Sequence, residues 1–584
     1  MKSEIQKFFK GEVEDDEDTL QKYSHDASLL EVRPKLVLFP KDSEDVKNLV
    51  KWVGENKSRY PDLSITPRCA GTDMSGGAIG ESIILDFTRY MNKLIGGPLP
   101  IDEVQNNISK KKNNPEGKRA SYGAGQKFRN YPLVPSYITV QPGMFYRDFE
   151  KITLGKGLIL PCYTASKSIN AMGGMFGNNS AGERTLKYGK TEDYILSTKV
   201  IFADGVERTI KPFPLNEISE KEEMYKKICD LIKQNEEEIK LAKPKVHKNS
   251  AGYYVWNVIQ NNIFDLNKLL VGSQGTLGIV TEITFKIIPN NKYSKLVAIF
   301  MNDLSPLGRL VDEILEYSPE TLEAYDDKTM KLAVKFFPDF LKNKGLIAMT
   351  RFAWSFLPEF LMTINGGFPK LILLAEFAGD NDKIVNDKCV KLVEKIKDFR
   401  LKVHITKNQA EANKYWDIRR ESFALLRKHI KGMRTAPFID DIIVRPEFLP
   451  KFLPELNLIL SKYDLLYTLA GHAGDGNFHI IPLMDFSRKD TTKIIIELGK
   501  KVYDLVMKYQ GSITAEHNDG LIRTPFLEKM YGENIIKIFT EIKKIFDSQN
   551  IFNPGKKIPT EHMGGTKEYI AMHIAVEHDA RHAV

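Results

Sequence analysis

Along the first half of the chain, short apolar runs closed by turn residues alternate with segments whose apolar positions recur every three or four residues. LVLFP (36–40) reads as a strand. SEDVKNLVKWVGEN reads as a helix capped by Ser43, with an i, i+3, i+4 apolar stripe. SITPRCAG, SIILDF, YITVQPG, LILPCYTAS and TKVIFADG continue the strand pattern, and Pro, Gly or Asp-Gly ends most of them. This alternation predicts an α+β architecture. Two stretches interrupt it. Residues 101–130 are polar and predict a surface loop or flap, and residues 212–248 are charge-laced and predict a solvated helical excursion. From about 290 to 460 strand and helix patterns mix, as in a second domain. Past about 560 the chain reads as a helix or tail, and no fixed-period repeat is present.

Length and composition narrow the class. With 584 residues, the chain exceeds the roughly 250–300 residues that one core sustains, so at least two lobes are expected. The net charge of +8 is thinly spread. It gives no reason to expect a nucleic-acid partner, and suits at most peripheral docking on the anionic inner face of a membrane. No apolar run reaches the roughly 18 residues of a membrane span, and the polar, acidic N-terminus lacks the apolar core of a signal peptide. Four scattered cysteines, Cys69, Cys162, Cys229 and Cys389, form no CxxC pair. They fit a reducing cytoplasm better than a disulfide framework or an iron–sulfur site.

Three small-residue segments carry the first chemistry. They are PRCAGTDMSGG (67–77), GGMFGNNSAGERTLKYGKTEDYI (173–195) and VGSQGTLGIVTEITF (271–285). Glycine lets backbone N–H groups approach a pyrophosphate, and several donor loops from separate parts of a chain suit a nucleotide-sized anion. None matches GxGxxG or GxxxxGK[ST], so neither an NAD Rossmann site nor a P-loop is indicated.

These segments, in this order and with VQPGMFYRDFEKITLGKGLILPCYTAS (140–166) between the first two, resemble the FAD-binding domain of the vanillyl-alcohol-oxidase (PCMH-type) flavoproteins. Within that superfamily they are similar to the glycolate oxidase subunit, D-lactate dehydrogenase and D-2-hydroxyglutarate dehydrogenase group. The match covers roughly 35–290 and 405–560. The resemblance implies an N-terminal arm (1–34), a split FAD-binding domain (35–290) and a cap domain with an antiparallel sheet (291–515). A segment returning to the FAD domain (516–560) and a tail (561–584) complete the chain. It further implies that Arg68, Ala70, Gly71, Thr72, Asp73 and Ser75, with Gly173, Gly174, Asn178, Ser180 and Gly182, wrap the FAD. Pro142, Gly143, Gly272, Gly275, Thr276, Gly278 and Ile279 would pack against it. Where some relatives carry a flavin-linked histidine, Cys69 and Ala70 stand here, so the FAD is expected to be non-covalent.

The second chemistry lies in GHAGDGNFHIIP (471–482) and TAEHNDG (514–520). His472 and His479, seven apart, fit one side of a turn–strand unit, and Glu516 and His517 arrive from another segment. Two imidazoles and a carboxylate suit Zn²⁺, Mn²⁺ or Fe²⁺ and leave positions open for substrate. The resemblance assigns His472, His479 and Glu516 as ligands and His517 as general base, with Asn518 replacing the usual glycine. It makes Arg419, in KYWDIRRESF (414–423), the clamp on a substrate carboxylate. Arg434, at the start of the strand RTAPFIDDIIV (434–444), is a second clamp. In FDSQNIFNPGKKI (546–558), Asn553 and Lys556 are the polar candidates at the flavin. Ile439 and Ile481 stand where dicarboxylate-oxidising relatives have lysine and asparagine, so lactate, glycolate or a bulkier acid stays open.

The expected reaction is oxidation of a D-2-hydroxy acid, with electrons passed to a quinone, an electron-transfer flavoprotein or an iron–sulfur subunit. Two alternatives remain. One is other flavin chemistry of the superfamily, such as redox-neutral ether-lipid synthesis or alcohol oxidation. The other is a non-catalytic FAD-binding subunit of a glycolate-oxidase-like complex.

Overall fold

A computed structural model of the chain describes residues 1–100, 136–335, 368–429, 432–559, 570–571 and 573–574. The expected flap at 101–130 and most of the tail lie outside the described residues. Strands β1 (Glu12–Glu14), β2 (Leu36–Phe39), β3 (Ile65–Arg68) and β4 (Ile83–Asp86) form a sheet ordered β1-β2-β4-β3, with β2 and β3 parallel to β4. β2 and β4 are buried at every position, apolar throughout except for Asp86 at the end of β4, as covered parallel strands require. Helix α1 (Ser43–Asn56) buries Val46, Leu49, Val50 and Val53 on one stripe. Its cap is Asp42, not Ser43: the Asp42 carboxylate accepts from the Asp45 N–H at 3.0 Å, and Ser43 becomes the first helical residue. The N-terminal stretch therefore supplies a strand, β1, to this sheet.

A second, antiparallel sheet runs β5 (Leu94–Pro100), β6 (Ser136–Val140), β9 (Ile279–Pro289), β7 (Ile195–Ile201), β8 (Glu207–Ile210). Most of β9 alternates buried with half-exposed positions, which gives the sheet one dry face. Helix α2 (Met172–Asn178) carries the central glycine segment.

The charged stretch 212–248 is not a solvated excursion. Helix α3 (Glu223–Gln234) buries Tyr225, Ile228, Cys229 and Ile232, and α4 (Glu236–Ala242) buries Ile239. These side chains share a core with Ile535, Ile538, Phe539 and Ile542 of α8 (Glu533–Phe546). A narrow apolar stripe at helical spacing sits among the charges, and burying it is worth more than solvating it.

The second lobe is an eight-stranded antiparallel sheet. Its main path is β13 (Lys402–Ile405), β10 (Tyr293–Met301), β12 (Leu371–Gly379), β11 (Thr321–Asp326), β15 (Leu466–His472), β16 (Asn477–Met484), β14 (Arg434–Thr435). Along β10, Val297, Ile299 and Met301 point to a core shared with α5 (Leu307–Leu315) and α6 (Asp382–Lys395). Leu296, Ala298 and Phe300 point the other way, to Tyr415 and Trp416 of α7 (Gln409–His429).

The run 434–444 is not one strand. It breaks into β14 and a two-residue strand Ile442–Ile443, both paired with β16. Pro437 lacks a ladder donor, and Asp441 takes φ +68°. That break turns Asp440 and Asp441 inward, where both are fully buried. The chain then returns to the first lobe: Phe552 bridges Ile65 of β3, and Ile551 and Phe552 join the core of the parallel sheet.

Candidate active site

One cavity joins the glycine loops to the histidine cluster, and its lining is of two kinds. The first is backbone and small side chains: Arg68–Asp73 after β3, Pro142, Gly173, Gly174 and Asn178 of α2, Ser180, Gly182, Gly275 and Gly278. The glycines make room. A Cβ on Gly174 would meet nothing within 4 Å and would stand in the cavity, whereas one on Gly173 would come within 2.5 Å of Pro142 Cβ and 2.9 Å of Cys69 Sγ. The loop after β3 is shaped by Asp73, whose carboxylate accepts from Ser75 N–H at 2.6 Å, Gly77 N–H at 3.0 Å and the Gln274 amide at 3.1 Å. Arg68 donates to the His25 carbonyl at 2.7 Å, which ties the N-terminal stretch to this loop.

Several expected flavin residues sit behind the lining instead of on it. Ser75 is buried against Asp73, Thr276 donates to the Ser273 carbonyl at 2.7 Å, and Ile279 belongs to the core. Gly143 packs under the Phe87 carbonyl. Asn518 takes φ +69°, the left-handed region where Asn is among the few residues besides Gly to fit. Its side-chain amide donates to the Gly272 carbonyl at 2.9 Å. Asn553 does not line the cavity. Its amide donates to the Gly77 and Gln274 carbonyls at 2.9 and 2.7 Å and so locks the returning segment to two flavin loops. Lys556 likewise donates to the Ile79 carbonyl at 2.8 Å.

The second kind of lining is charged: Arg419, His472, His479, Glu516 and His517, with the apolar Ile481 beside them. The tight turn between β15 and β16 pairs His472 with Asn477 and Ala470 with His479, so both imidazoles reach the same point. His472 Nε2 and His479 Nε2 stand 3.2 and 3.3 Å from Glu516 Oε1. Each ring's other nitrogen faces a further carboxylate: His472 Nδ1 lies 2.6 Å from Glu323 Oε1, and His479 Nδ1 lies 3.1 Å from Asp440 Oδ1. His517 stacks on His479 at 5.0 Å, with its Nδ1 2.6 Å from Asp440 Oδ2 and its Nε2 4.0 Å from Glu516 Oε1.

The segment 514–517 is held by Asp441, whose Oδ2 accepts from Thr514 Oγ1 at 2.6 Å and from the N–H groups of Ala515, Glu516 and His517 at 2.7–2.9 Å. Asp441 Oδ2 is thus fully engaged, while Oδ1 accepts only from the Asn477 amide at 3.1 Å, and the carboxylate lies within 4.8 Å of the ligand atoms of His479, Glu516 and His517. Lys248, fully buried, bridges Asp475 Oδ2 at 3.0 Å and Glu516 Oε2 at 3.2 Å.

The electrostatics are lopsided. Five buried carboxylates, Glu323, Asp440, Asp441, Asp475 and Glu516, face three fixed cations: Lys248, Arg419 and Arg523. The surplus negative charge draws protons. Burial opposes a charged imidazole at His479, yet Asp440 and Glu516 outweigh it and raise the group to about 10. Against the same burial penalty, Asp440 raises His517 and the neighbouring carboxylates raise Lys248. Desolvation alone would lift the Glu516 carboxyl, but Lys248 and His472 hold it well below the usual range.

Arg419 meets this cluster from α7, pairing through Nη2 with Glu323 Oε2. Its Nε is buried and has no hydrogen-bond partner among the described residues. Arg434 is elsewhere: its guanidinium stacks 4.3 Å over the Phe486 ring, and it does not line the cavity. The sequence reading missed Lys248, Glu323, Asp440, Asp441 and Asp475. Asp475 was visible inside GHAGDGNFH, and the pair Asp440–Asp441 interrupts an apolar run. Glu323 in TLEAYD carries no motif.

Comparison with known proteins agrees with this architecture. A family model for the FAD binding domain matches residues 34–98 and 126–211, and one for the C-terminal domain of FAD linked oxidases matches 290–557. D-2-hydroxyglutarate dehydrogenase of Escherichia coli (strain K12) is 24% identical over 555 residues, 92% of this chain but 49% of that protein. The chain thus spans about half the length of the first curated relatives it matches. Glycolate oxidase subunit GlcD of Bacillus subtilis (strain 168) is 26% identical over 540 residues, 91% of each chain. Among solved structures, 4-ethylphenol oxidase from Gulosibacter chungangensis aligns with a TM-score of 0.63 at 14% identity, covering 96% of this chain and 97% of that one. p-Cresol methylhydroxylase aligns with 0.60 at 15%, covering 94% of each. At such identity these two establish the fold alone. With the two domain models following one another along most of its length, the chain belongs to the FAD-linked oxidases, flavoproteins whose FAD-binding domain has the PCMH-type fold.

Proposed function

We propose that the protein is an FAD-dependent dehydrogenase of a small D-2-hydroxy acid, lactate- or glycolate-like, with a divalent metal (Zn²⁺, Mn²⁺ or Fe²⁺) held by His472, His479 and Glu516. The observation that carries this reading is the convergence of two imidazole nitrogens on one carboxylate oxygen, each backed by a second carboxylate. Ligands about 2.1 Å from a cation lie roughly 3.4 Å apart at near-tetrahedral angles, and each imidazole nitrogen stands near that distance from Glu516 Oε1, at 3.2 and 3.3 Å. A neutral imidazole has one N–H. If Nδ1–H is donated to Glu323 or Asp440, Nε2 is left as a lone pair, the arrangement metal-binding histidines adopt. A dication also offsets the surplus of buried carboxylates.

The residues divide the work. Arg419, whose Nε has no partner among the described residues, lines the cavity and would grip the substrate carboxylate. Asp440, at His517 Nδ1, fixes the tautomer that leaves Nε2 free to take the hydroxyl proton. When bound, the metal would lower the pKa of the substrate hydroxyl, and FAD would supply the acceptor for the hydride from the substrate carbon. Non-covalent FAD is part of the reading: the Cys69 thiol packs on the Pro142 carbonyl at 3.4 Å, and burial pushes its ionisation up, away from a reactive thiolate. Ile481 beside His479 supports a short or apolar substrate side chain over a second carboxylate. The charged cluster argues against a redox-neutral relative or an inert subunit, neither of which needs it.

Reoxidation by a quinone, an electron-transfer flavoprotein or an iron–sulfur subunit is part of the same proposal. No helix among the described residues is long and apolar enough to cross a membrane. Contact with an anionic bilayer would be peripheral, and salt-sensitive binding to anionic liposomes tests it.

Anaerobic titration of the flavin absorbance with D- and L-2-hydroxy acids, before and after chelation, tests the reaction. Bleaching by a short D-acid, lost on chelation and restored by metal, is expected. A flavin that no hydroxy acid bleaches overturns the proposal.

A further inference from the structure

Glu323 is fully buried on β11, every residue of which is buried. Antiparallel pairing of Ala324 with Gly471 and Tyr325 with Ala470 sets Glu323 across from His472. Its two oxygens have different partners: Oε1 lies 2.6 Å from His472 Nδ1, and Oε2 pairs with Arg419 Nη2. Arg419 is itself only 8% exposed, so neither partner can be replaced freely by water. A buried carboxylate shared in this way divides its basicity between its donors.

We infer that Glu323 is a positioning residue that couples the metal to the substrate carboxylate: whatever draws the Arg419 guanidinium away from Glu323 strengthens His472 as a ligand, and a bound metal loosens Arg419 toward the acid. This rests on the reading above, in which His472 ligates a metal and Arg419 grips the acid. The coupling runs through bonds visible in the fold. With less of its charge spent on Arg419, Glu323 accepts more strongly from His472 Nδ1–H, and the opposite ring nitrogen becomes a better donor. Binding of acid and of metal then favour each other, reciprocally.

The test is a double-mutant cycle read by metal binding without turnover. Mn²⁺ is titrated into chelator-stripped, FAD-loaded full-length protein, and the free ion is followed by its EPR signal. Glu323→Gln is expected to weaken Mn²⁺ binding about 10–100-fold. Arg419→Met is expected to tighten it about threefold or more in the wild-type background and to leave it unchanged in the Glu323→Gln background. Arg419→Lys, which keeps the charge, serves should the methionine variant fold poorly, and is expected to tighten Mn²⁺ less. FAD content and melting temperature report folding for each variant.

An Arg419 effect that persists in the Glu323→Gln background is a through-space charge effect and overturns the coupling. So does one-to-one Mn²⁺ binding that neither Arg419 variant alters. If the wild-type protein binds none of Mn²⁺, Fe²⁺ and Zn²⁺ at one equivalent, the metal reading itself fails and the coupling falls with it.

Discussion

Around the glycine loops the cavity is bounded largely by backbone and by small or uncharged side chains, whereas around His472 it is bounded by charged groups that satisfy one another out of water. The first region works by leaving space: what matters is the Cβ that Gly174 lacks. The second works by mutual restraint, since each imidazole is held by a carboxylate and the Glu516–His517 segment hangs on Asp441. A site of the first kind should tolerate change in surrounding charge and fail when atoms are added. One of the second kind should tolerate small changes of volume and fail when a single charge is removed.

Substitutions can break this contrast. The largest effect is expected from His517→Ala: anaerobic flavin reduction by the acid should slow about 10²–10⁴-fold, with FAD retained in full. Undiminished bleaching in a stopped-flow trace would put the base elsewhere. Next, Asp441→Ala removes a carboxylate that accepts from five buried donors. A loss of about 3–5 kcal/mol is expected, visible as a lowered calorimetric midpoint, and an unchanged midpoint would show that the 514–517 segment is held by other means.

Adjacent glycines give a finer test. Gly173→Ala drives a methyl into Pro142 and Cys69 and should cost about 1–3 kcal/mol of stability. Gly174→Ala, inside a helix and facing open space, should stabilise the flavin-free protein by up to about 1 kcal/mol while weakening FAD binding in a fluorescence titration. Equal behaviour of the two variants would refute the idea that Gly174 is there for the ligand. The smallest effect is assigned to Ile481→Asn. Bleaching by a short D-2-hydroxy acid should become a few-fold less efficient, below the roughly 10–200-fold that a full methylene contact is worth, and a dicarboxylic acid should gain relative to it.

The two regions also differed in how far the sequence disclosed them. Glycine loops act through contiguous backbone, so Arg68–Asp73, Gly173–Gly182 and Gly275–Gly278 could be read directly, although supporting residues such as Ser75, Thr276 and Asn553 were taken for lining. In the charged region His472, His479, Glu516 and His517 stood in dense polar motifs. Their partners did not. Glu323 is one of two acids in a short buried strand, and it meets His472 only through the pairing of β11 with β15, 149 positions away in the chain. Lys248 ends a segment whose charges disguised the buried stripe of α3. Asp440 and Asp441 were hidden inside what looked like one strand, because the break at Pro437 and the left-handed turn at Asp441 depend on how β14 and Ile442–Ile443 dock on β16. Arg434 shows the converse: a plausible cation by sequence position, claimed in the fold by Phe486.

The return of the C-terminal segment to the first lobe bears on how the protein is made. Strand β3 and the flavin loop that follows it are synthesised early, yet Phe552 and Asn553, which brace them, emerge roughly 490 residues later. A nascent chain on the ribosome therefore cannot finish its cofactor site until Phe552 and Asn553 have been made, and FAD is expected to be captured only once that segment has docked against β3.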